Sequence, residues 1–307
     1  MTKVFIDGSA GTTGLRILDR LAQRQDISLI RLTEELRKDP AARKDAMASA
    51  DIAFLCLPDA AAIEAVALAE DLGVKIIDTS TVHRTDPGWA YGFPELAGQR
   101  QKIAASSRIA NPGCHASGFV ALVAPLVQQG IVSKDTALTC FSLTGYSGGG
   151  KKMIAEYEAA DRNPLLKAPR QYALTQQHKH LKEMVSLCAL ETAPVFCPIV
   201  ADFYSGMEVT VSLFAKDIKS TAEDIRALYR DYYTHGLVHY DDCTDPDGML
   251  SAAAFADRDD MQVSVHGNDD RILLTARFDN LGKGASGAAI QNMNILLGIT
   301  ESTGLCV

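Results

Sequence analysis

Three evenly spaced glycines directly after a short apolar run constrain the fold of this chain more than any other feature. The run KVFID (3–7) is typical of a β-strand, and the amphipathic pattern that resumes after the glycines is typical of a helix. A glycine turn between strand and helix lets the backbone approach a diphosphate while helix N–H groups point at its charge. We therefore predict a dinucleotide site, rather than a plain turn, at Gly8, Gly11, Thr12, Thr13 and Gly14.

The rest of the N-terminal half alternates strand-like runs with helical ones. A helix-forming stretch, DAAAIEAVALAEDLG, separates two of the apolar runs, and a fifth strand falls in either KIAAS or SRIAN. Such alternation predicts an α/β fold, a parallel sheet with helices on both faces, here a Rossmann-type dinucleotide-binding domain. The strand-like runs after the first are 27–32, 51–58 and 74–80.

The pattern changes in the second half, where strand-like runs follow one another with few helices between them. This half predicts an α+β domain built on a mostly antiparallel sheet. The tail from 284 is helical and rich in small residues, so we expect it to return to the first domain. The expected domains are 1–113 plus 284–307 and, between them, 114–283, with the acidic segment 241–260 as a surface excursion.

Composition excludes several classes of protein. A net charge of −8 leaves no basic face for a nucleic acid. No apolar run approaches the roughly 18 residues of a membrane span, and the N-terminal segment lacks the pattern of a signal peptide, so we expect a cytoplasmic protein without a membrane partner. The seven scattered cysteines contain no Cys-x-x-Cys pair and predict neither a metal site nor disulfides.

One cysteine stands apart from the others. Cys114 follows the turn Asn-Pro-Gly and precedes FVALVAPL, a run with the periodicity of a buried helix. At a helix N-terminus the free N–H groups and the helix dipole favour a thiolate, which predicts a nucleophile. The alternative is a small buried residue, which is what most free cysteines in intracellular proteins are.

The residues after the second strand leave the choice of dinucleotide open. Glu34 and Glu35 stand where an acid hydrogen-bonds the ribose 2′-OH of NAD, whereas Thr33, Arg37 and Lys38 are equally close and suit the 2′-phosphate of NADP.

A thiolate beside a nicotinamide implies thioester chemistry, and such chemistry needs a group that manages the proton of the thiol. His180 is the preferred histidine because Glu183, one helical turn further on, could orient its ring, although an isolated His-x-x-Glu pair is structural more often than catalytic. His115 is interpreted as a packing or helix-start residue. The remaining histidines considered are His83, His178, His235, His239 and His266.

The loop TGYSGGGKK (144–152) also suits this chemistry. Its glycines, together with Ser147, Lys151 and Lys152, could hold an oxyanion or a phosphate, and a surface turn is the alternative.

Taken together, these motifs resemble a known family. GSAGTTG, YGFPEL, NPGC, SGGGKK, HKHLKE and DNLGKGASGAAIQNMNILLG occur in the order found in the shorter subgroup of N-acetyl-gamma-glutamyl-phosphate reductases of arginine biosynthesis. The related aspartate-semialdehyde dehydrogenases usually carry Asn-Pro-Asn-Cys, so Gly113 favours the arginine-pathway enzymes. The sequence departs from the commoner family pattern at His115, Ala116 and Ser117, where an aromatic residue and Pro-Thr are usual.

The resemblance implies reduction of an acyl phosphate by NADPH in a homo-oligomer, a dimer or a tetramer. It implies that Cys114 is the nucleophile, that His180 is its acid/base partner and that Asn280 lies near the nicotinamide carboxamide. Arg84 and Lys151 are then expected to contact the substrate phosphate.

The alternatives are an aspartate-semialdehyde dehydrogenase, a non-catalytic NADP-binding redox sensor, and a cysteine hydrolase. The sensor would not need Cys114 and His180 together, and the hydrolase would leave the glycine turn unexplained.

Overall fold

The computed structural model describes residues 1–307, and the chain divides into two compact units. The first contains 1–112 and 285–305, and the second contains 113–284 and 306–307.

The first unit alternates strands and helices along the chain, as its sequence pattern predicts. Its elements before the chain enters the second unit are β1 (Thr2–Asp7), α1 (Thr12–Leu21), β2 (Ile27–Ile30), α2 (Pro40–Ala48), β3 (Ile52–Leu55), α3 (Asp59–Leu68), β4 (Lys75–Asp78), β5 (Ala90–Tyr91), α4 (Gln99–Ala105) and β6 (Arg108–Ala110).

The six strands form one sheet in the order β2-β1-β3-β4-β6-β5, and every neighbouring pair is parallel. Val4 and Ile52 face one layer of helices with Ile17 of α1, while Phe5 and Ala53 face the other layer, which contains α2 and α3. Successive residues of one strand thus enter opposite cores, and this confirms the predicted Rossmann-type fold. The fifth predicted strand lies in SRIAN as β6, whereas KIAAS ends α4.

The second unit opens with a buried helix and builds a larger sheet. Its elements are α5 (Cys114–Gln128), β7 (Thr139–Gly145), α6 (Gly150–Glu158), β8 (Arg170–Gln171), α7 (His180–Cys188), β9 (Val195–Ala201), β10 (Met207–Phe214), α8 (Ala222–Tyr232), β11 (Val238–Tyr240), β12 (Met261–Gly267) and β13 (Arg271–Phe278).

The sheet order is β11-β12-β13-β10-β7-β9-β8. Four strand pairs are antiparallel, and the pairs β7–β9 and β11–β12 are parallel, which confirms the predicted α+β class. One face of the sheet packs against α5 and α8. The alternating strand residues that face the other way include four exposed apolar side chains, Phe141, Val195, Phe214 and Leu273.

The chain ends with α9 (Gly287–Leu296), which belongs to the first unit and packs its Ala289, Ile290 and Met293 into the core beside α1. The expected boundary assigned all of 284–307 to the first domain. Gly113, Gly284 and the last two residues belong to the second unit instead. The backbone of Cys306 binds Asp259 of that unit through two hydrogen bonds of 2.6 and 2.9 Å.

The segment 241–260 has neither helix nor strand, and much of it is exposed. Its end differs from the expected surface excursion, since Asp259 and Asp260 are buried and Asp260 receives two hydrogen bonds from Arg258. Across the whole molecule, no helix combines the length and the apolar content that a bilayer span requires.

Candidate functional site

The glycine turn of the first unit is too tight for side chains. Gly8 has a φ of +84°, and a β-carbon there would overlap the carbonyl oxygen of Cys56, the residue after the neighbouring strand β3. A β-carbon on Gly14 would lie 2.5 Å from the carbonyl oxygen of Gly8. The N–H of Gly11 donates to that same carbonyl at 3.1 Å, and Thr12 and Thr13 then begin α1. The turn therefore leaves bare backbone at a helix N-terminus, as a diphosphate site requires.

A cavity of about 530 Å³ opens over this turn. Its wall contains the glycine turn and also the acidic and basic residues that follow β2, namely Glu34, Arg37 and Lys38. The Arg37 guanidinium lies 2.6 Å from the Glu34 carboxylate. Thr33 precedes them, and its carbonyl accepts the N–H groups of Leu36 and Arg37. The shape suits a dinucleotide, and the charges suit either ribose substituent.

A buried ion pair lies beneath the turn, and sequence reasoning did not identify it. Asp7, the last residue of β1, also lines the cavity and accepts a hydrogen bond of 2.9 Å from Arg43 of α2. Burial raises the pKa of the Asp7 carboxyl despite the opposing charge of Arg43. The pair ties the end of β1 to α2 directly before Gly8.

Cys114 is the first residue of α5, as its sequence context predicts. Gly113 is the N-cap in an extended conformation, and no side chain caps this helix end. The N–H of Gly113 donates to Glu183 Oε1 at 2.7 Å, and Glu183 is buried. The sequence suggested that Glu183 orients His180, and the structure shows that its carboxylate holds the backbone in front of the thiol.

His180 begins α7, which packs against α5. Its ring is buried, and its centroid lies 4.7 Å from that of His178 and 5.5 Å from that of His115. The backbone N–H of His180 donates to His178 Nδ1 at 3.2 Å. Three imidazoles thus cluster where α7 begins, beside the start of α5.

His115 does more than fill space at the helix start. Its Nδ1 lies 2.6 Å from Ser142 Oγ and its Nε2 lies 2.7 Å from Tyr172 Oη. Burial, together with the nearby His178, lowers the pKa of His115 to about 3. Tyr172 was missed by the sequence analysis, since a tyrosine six residues before a histidine matches no local pattern.

Two further predicted residues meet in the second unit. The side-chain amide of Asn280 donates to Ser147 Oγ at 3.0 Å, and its oxygen accepts the N–H of Gly206 at 2.9 Å. Both Asn280 and Ser147 are buried. Lys151 lies in the first turn of α6 and is exposed.

Arg84 lies in the first unit, in the segment after β4. Its Nε donates to the carbonyl of Asn111 at 2.9 Å and its Nη2 to the carbonyl of Thr79 at 3.1 Å. The guanidinium therefore links the ends of two strands, one of which leads into the Asn-Pro-Gly turn.

Three other thiols, those of Cys56, Cys140 and Cys188, are poor candidates for the nucleophile. Burial raises the pKa of Cys56 to about 12, and it also raises the pKa values of Cys140 and Cys188 well above the ordinary range. These thiols stay protonated near neutral pH, and a thiol reacts as its thiolate.

Two separate family models match the N-terminal and the central part of the chain. Residues 30–106 match the family model described as semialdehyde dehydrogenase, NAD binding domain, and residues 114–280 match semialdehyde dehydrogenase, dimerisation domain. A Nostoc protein named N-acetyl-gamma-glutamyl-phosphate reductase 2 is 45% identical over 99% of this chain and 99% of its own.

Two solved structures share the fold at low sequence identity. Aspartate semialdehyde dehydrogenase II from Vibrio cholerae, complexed with ASA, has a TM-score of 0.74 at 16% identity, covering 97% of this chain and 98% of its own. Aspartate semialdehyde dehydrogenase with NADP from Candida albicans has a TM-score of 0.66 at 16% identity, with the same two coverages.

Proposed function

The chain belongs to the N-acetyl-gamma-glutamyl-phosphate reductases of the semialdehyde dehydrogenase family, and on that premise we propose that it reversibly reduces N-acetyl-gamma-glutamyl phosphate to N-acetylglutamate semialdehyde with NADPH. The reaction is a step of arginine biosynthesis. The observation that carries the proposal is Cys114 at the start of a buried helix, behind a turn that Glu183 holds. The cytoplasmic location expected from the sequence stays a prediction.

We assign the diphosphate and the 2′-phosphate of the cofactor to the first unit. Gly8, Gly11 and Gly14 leave backbone exposed where larger side chains would block the approach of a diphosphate. Thr12 and Thr13 lie at the same end of α1. Arg37, with Thr33 beside it, is the proposed partner of the 2′-phosphate, and this favours NADP. Asn280 is the proposed partner of the nicotinamide carboxamide, following the family resemblance. When bound, the nicotinamide supplies the hydride that reduces the acyl carbon.

The second unit supplies the nucleophile. The Cys114 thiolate attacks the acyl carbon, a C–S bond forms, the C–O bond to the phosphoryl group breaks, and inorganic phosphate leaves with the bonding electrons. Once the thioester carbon is reduced, the C–S bond breaks, the aldehyde leaves and the thiolate is restored. The N-terminal N–H groups of α5 stabilise the thiolate at both stages.

His180 is the proposed acid/base partner. It accepts the proton of the Cys114 thiol before attack, lends that proton to the oxygen of the tetrahedral species, and takes it back when this species collapses to the aldehyde and the thiolate. The packing of α7 on α5 supports this role, since it brings the first residues of both helices to one end of the unit.

Arg84, Ser147 and Lys151 are the proposed contacts of the substrate phosphate or oxyanion. Ser147 is oriented by Asn280, and Lys151 offers a mobile exposed charge in the first turn of α6. Arg84 brings a positive charge to the ends of two strands, where its guanidinium binds the carbonyls of Asn111 and Thr79.

The deciding experiment compares two substrates in the reverse direction. We expect phosphate-dependent reduction of NADP with N-acetylglutamate semialdehyde and at least 100-fold lower kcat/KM with aspartate semialdehyde. The opposite preference would make the chain an aspartate-semialdehyde dehydrogenase. Binding of NADP without turnover of either aldehyde would favour the redox sensor.

We also propose a homodimer formed through the open face of the second sheet. Phe141, Val195, Phe214 and Leu273 are 41–55% exposed there and lie on four neighbouring strands, β9-β7-β10-β13. The family model that matches this unit is described as a dimerisation domain, which supports a second copy as the partner that covers them.

Light scattering after gel filtration tests this interface. Phe141→Glu should halve the mass, because it places a charge at the centre of the face. Ile63→Glu, at a 52% exposed residue of α3, is the matched control and should leave the mass unchanged. An unchanged mass for Phe141→Glu, or a monomeric wild-type protein, would contradict the proposal.

A further inference from the structure

A chain of three hydrogen-bonding side chains begins at the residue after the nucleophile. His115 bridges Ser142 of β7 and Tyr172, with contacts of 2.6 Å at Nδ1 and 2.7 Å at Nε2. Ser142 is fully buried and His115 is 3% exposed, so neither side chain can exchange its partner for bulk water. The chain is therefore a fixed part of the second unit and joins the sheet to the start of α5.

The ring at the centre of this chain is neutral. Its pKa is lowered to about 3 by burial first and by His178 second. A neutral imidazole has one N–H donor and one acceptor nitrogen. Ser142 and Tyr172 must then bind to opposite types of nitrogen, so the direction of one hydrogen bond sets the direction of the other.

The surroundings of Tyr172 favour one of the two directions. Burial raises the pKa of the Tyr172 hydroxyl above its ordinary range, and the charge of a Cys114 thiolate raises it further. His115, which holds Tyr172, is the residue directly after Cys114, and a neutral hydroxyl within the field of an anionic sulfur is most stable with its O–H directed towards that sulfur. In that arrangement Tyr172 Oη accepts from His115 Nε2–H, and Ser142 O–H donates to Nδ1.

We propose that His115 is a positioning residue, which fixes the Tyr172 hydroxyl so that its O–H faces the sulfur of Cys114. The proposal rests on the proposed function, in which Cys114 is the nucleophile. It assigns a purpose to a histidine that stands where the commoner family pattern has an aromatic residue. His115 acts only through Tyr172 and takes no part in bond making.

The expected consequence is a thiolate that forms at lower pH. Several groups face the start of α5: Tyr172, His178 and His180 belong to the ring cluster, and Glu183 binds the N–H of Gly113. Among these, Tyr172 offers a neutral O–H donor, and a well-oriented donor to an anion contributes roughly 1.5 kcal/mol, or about tenfold. Loss of its orientation should raise the pH midpoint of thiolate formation by about one unit.

The test measures the alkylation rate of Cys114 by iodoacetamide as a function of pH, with the modified peptide identified by mass spectrometry. Tyr172→Phe and His115→Leu should each raise the pH midpoint by about one unit, and the double variant should show the same rise as either single one. His115→Gln keeps a donor near the position of Nε2 and should restore the wild-type midpoint. His115→Asn reaches only towards Ser142 and should behave like His115→Leu.

Two results would overturn the inference. One is a wild-type midpoint in both His115→Leu and His115→Asn, and the other is additive shifts of Tyr172 and His115 variants. If the leucine variant does not fold, the comparison of His115→Gln with His115→Asn still tests the inference. These two side chains differ by one methylene, and only the glutamine reaches Tyr172. Failure of the proposed function can be distinguished from failure of this inference. The first would appear as normal turnover by Cys114→Ser, whereas the alkylation rate reports on the thiol without any turnover.

Discussion

The backbone of Gly284 packs directly against the side chain of Cys114, since a β-carbon placed on this glycine would lie only 3.0 Å from the Cβ of Cys114. The same β-carbon would lie 3.1 Å from the carbonyl oxygen of Asp279. Gly284 is held in this position because its own N–H donates to that carbonyl at 2.9 Å. The nucleophile therefore has a backbone wall on one side, built from the segment that follows β13.

This wall predicts that Gly284→Ala lowers turnover. The added methyl group must displace Cys114 or the backbone by a few tenths of an ångström, which costs roughly 1–3 kcal/mol. Displacement of a reacting atom is amplified in the rate, so we expect kcat to fall by about 10- to 100-fold with unchanged NADPH affinity. Gly73→Ala is the control, because nothing lies within 4 Å of its β-carbon position. Equal activity of the two variants would contradict the prediction.

Replacement of the nucleophile should separate binding from chemistry. Cys114→Ser replaces the sulfur by an oxygen in the second unit, and an alcohol at neutral pH is a far weaker nucleophile than a thiolate. We expect calorimetry to show NADPH affinity within about twofold of wild type, while turnover falls by at least 10⁴-fold.

The covalent intermediate gives the direct check. Mass spectrometry after mixing with the acyl phosphate, without NADPH, should find an N-acetylglutamyl adduct on the peptide that contains Cys114. The control Cys243→Ser changes an exposed thiol and should keep both adduct and activity. An adduct on Cys56 or Cys140 would refute the assignment of Cys114.

Loss of the proposed acid/base group should lower turnover without abolishing thioester formation. His180→Asn keeps a polar side chain but cannot exchange protons near neutral pH, so kcat should fall by roughly 10²- to 10⁴-fold and lose its dependence on one ionisation. His235→Asn, at an exposed histidine, serves as the matched control and should retain wild-type kinetics. Steady-state rates over a range of pH distinguish the two variants.

The preference for NADP depends on Arg37 if the cavity wall binds the 2′-phosphate. Arg37→Ala should raise the KM for NADPH by about 10- to 100-fold, the value of one or two charge-assisted hydrogen bonds, and should change the KM for NADH by less than about twofold. Lys44→Ala removes an exposed cation on α2 and controls for net charge. Equal effects on both dinucleotides would contradict the assignment of Arg37 to the 2′-phosphate.

The sequence predicted those parts of the fold that depend on local pattern. The glycines after β1, the start of α5 at Cys114 and the start of α7 at His180 all follow from periodicity and turn chemistry. The type of sheet in each half could also be predicted. Helices separate the strands of the N-terminal half, which is typical of a parallel sheet, and few helices separate those of the second half.

Contacts between distant segments were beyond such reasoning. Glu183 binds the N–H of Gly113, a partner 70 residues away that no local spacing indicates. Tyr172 lies just after β8 and contacts His115 of α5, which is 57 residues away in the sequence. Gly284 could not be recognised as a wall of the thiol, since its neighbour Asp279 and its contact Cys114 converge only in the folded chain.

The last prediction concerns the effect of pH on stability. His115 titrates near 6.5 in an unfolded chain, and burial lowers its pKa to about 3 in the folded protein. Between these two values the unfolded state binds more protons than the folded state, so the free energy of unfolding falls as the pH is lowered below about 6.5.

Urea unfolding of the wild-type protein and of His115→Gln at two pH values measures this contribution. Glutamine does not titrate, so the stability difference between wild type and variant isolates the imidazole from all other groups. Between pH 7.5 and pH 5.5 we expect the wild-type protein to lose about 1.4 kcal/mol more than the variant, because the neutral buried ring forgoes roughly one proton that the unfolded ring binds. An identical pH dependence in both proteins would mean that His115 accepts a proton in the folded state. The ring would then be charged, and the single-donor argument that orients Tyr172 towards Cys114 would fail with it.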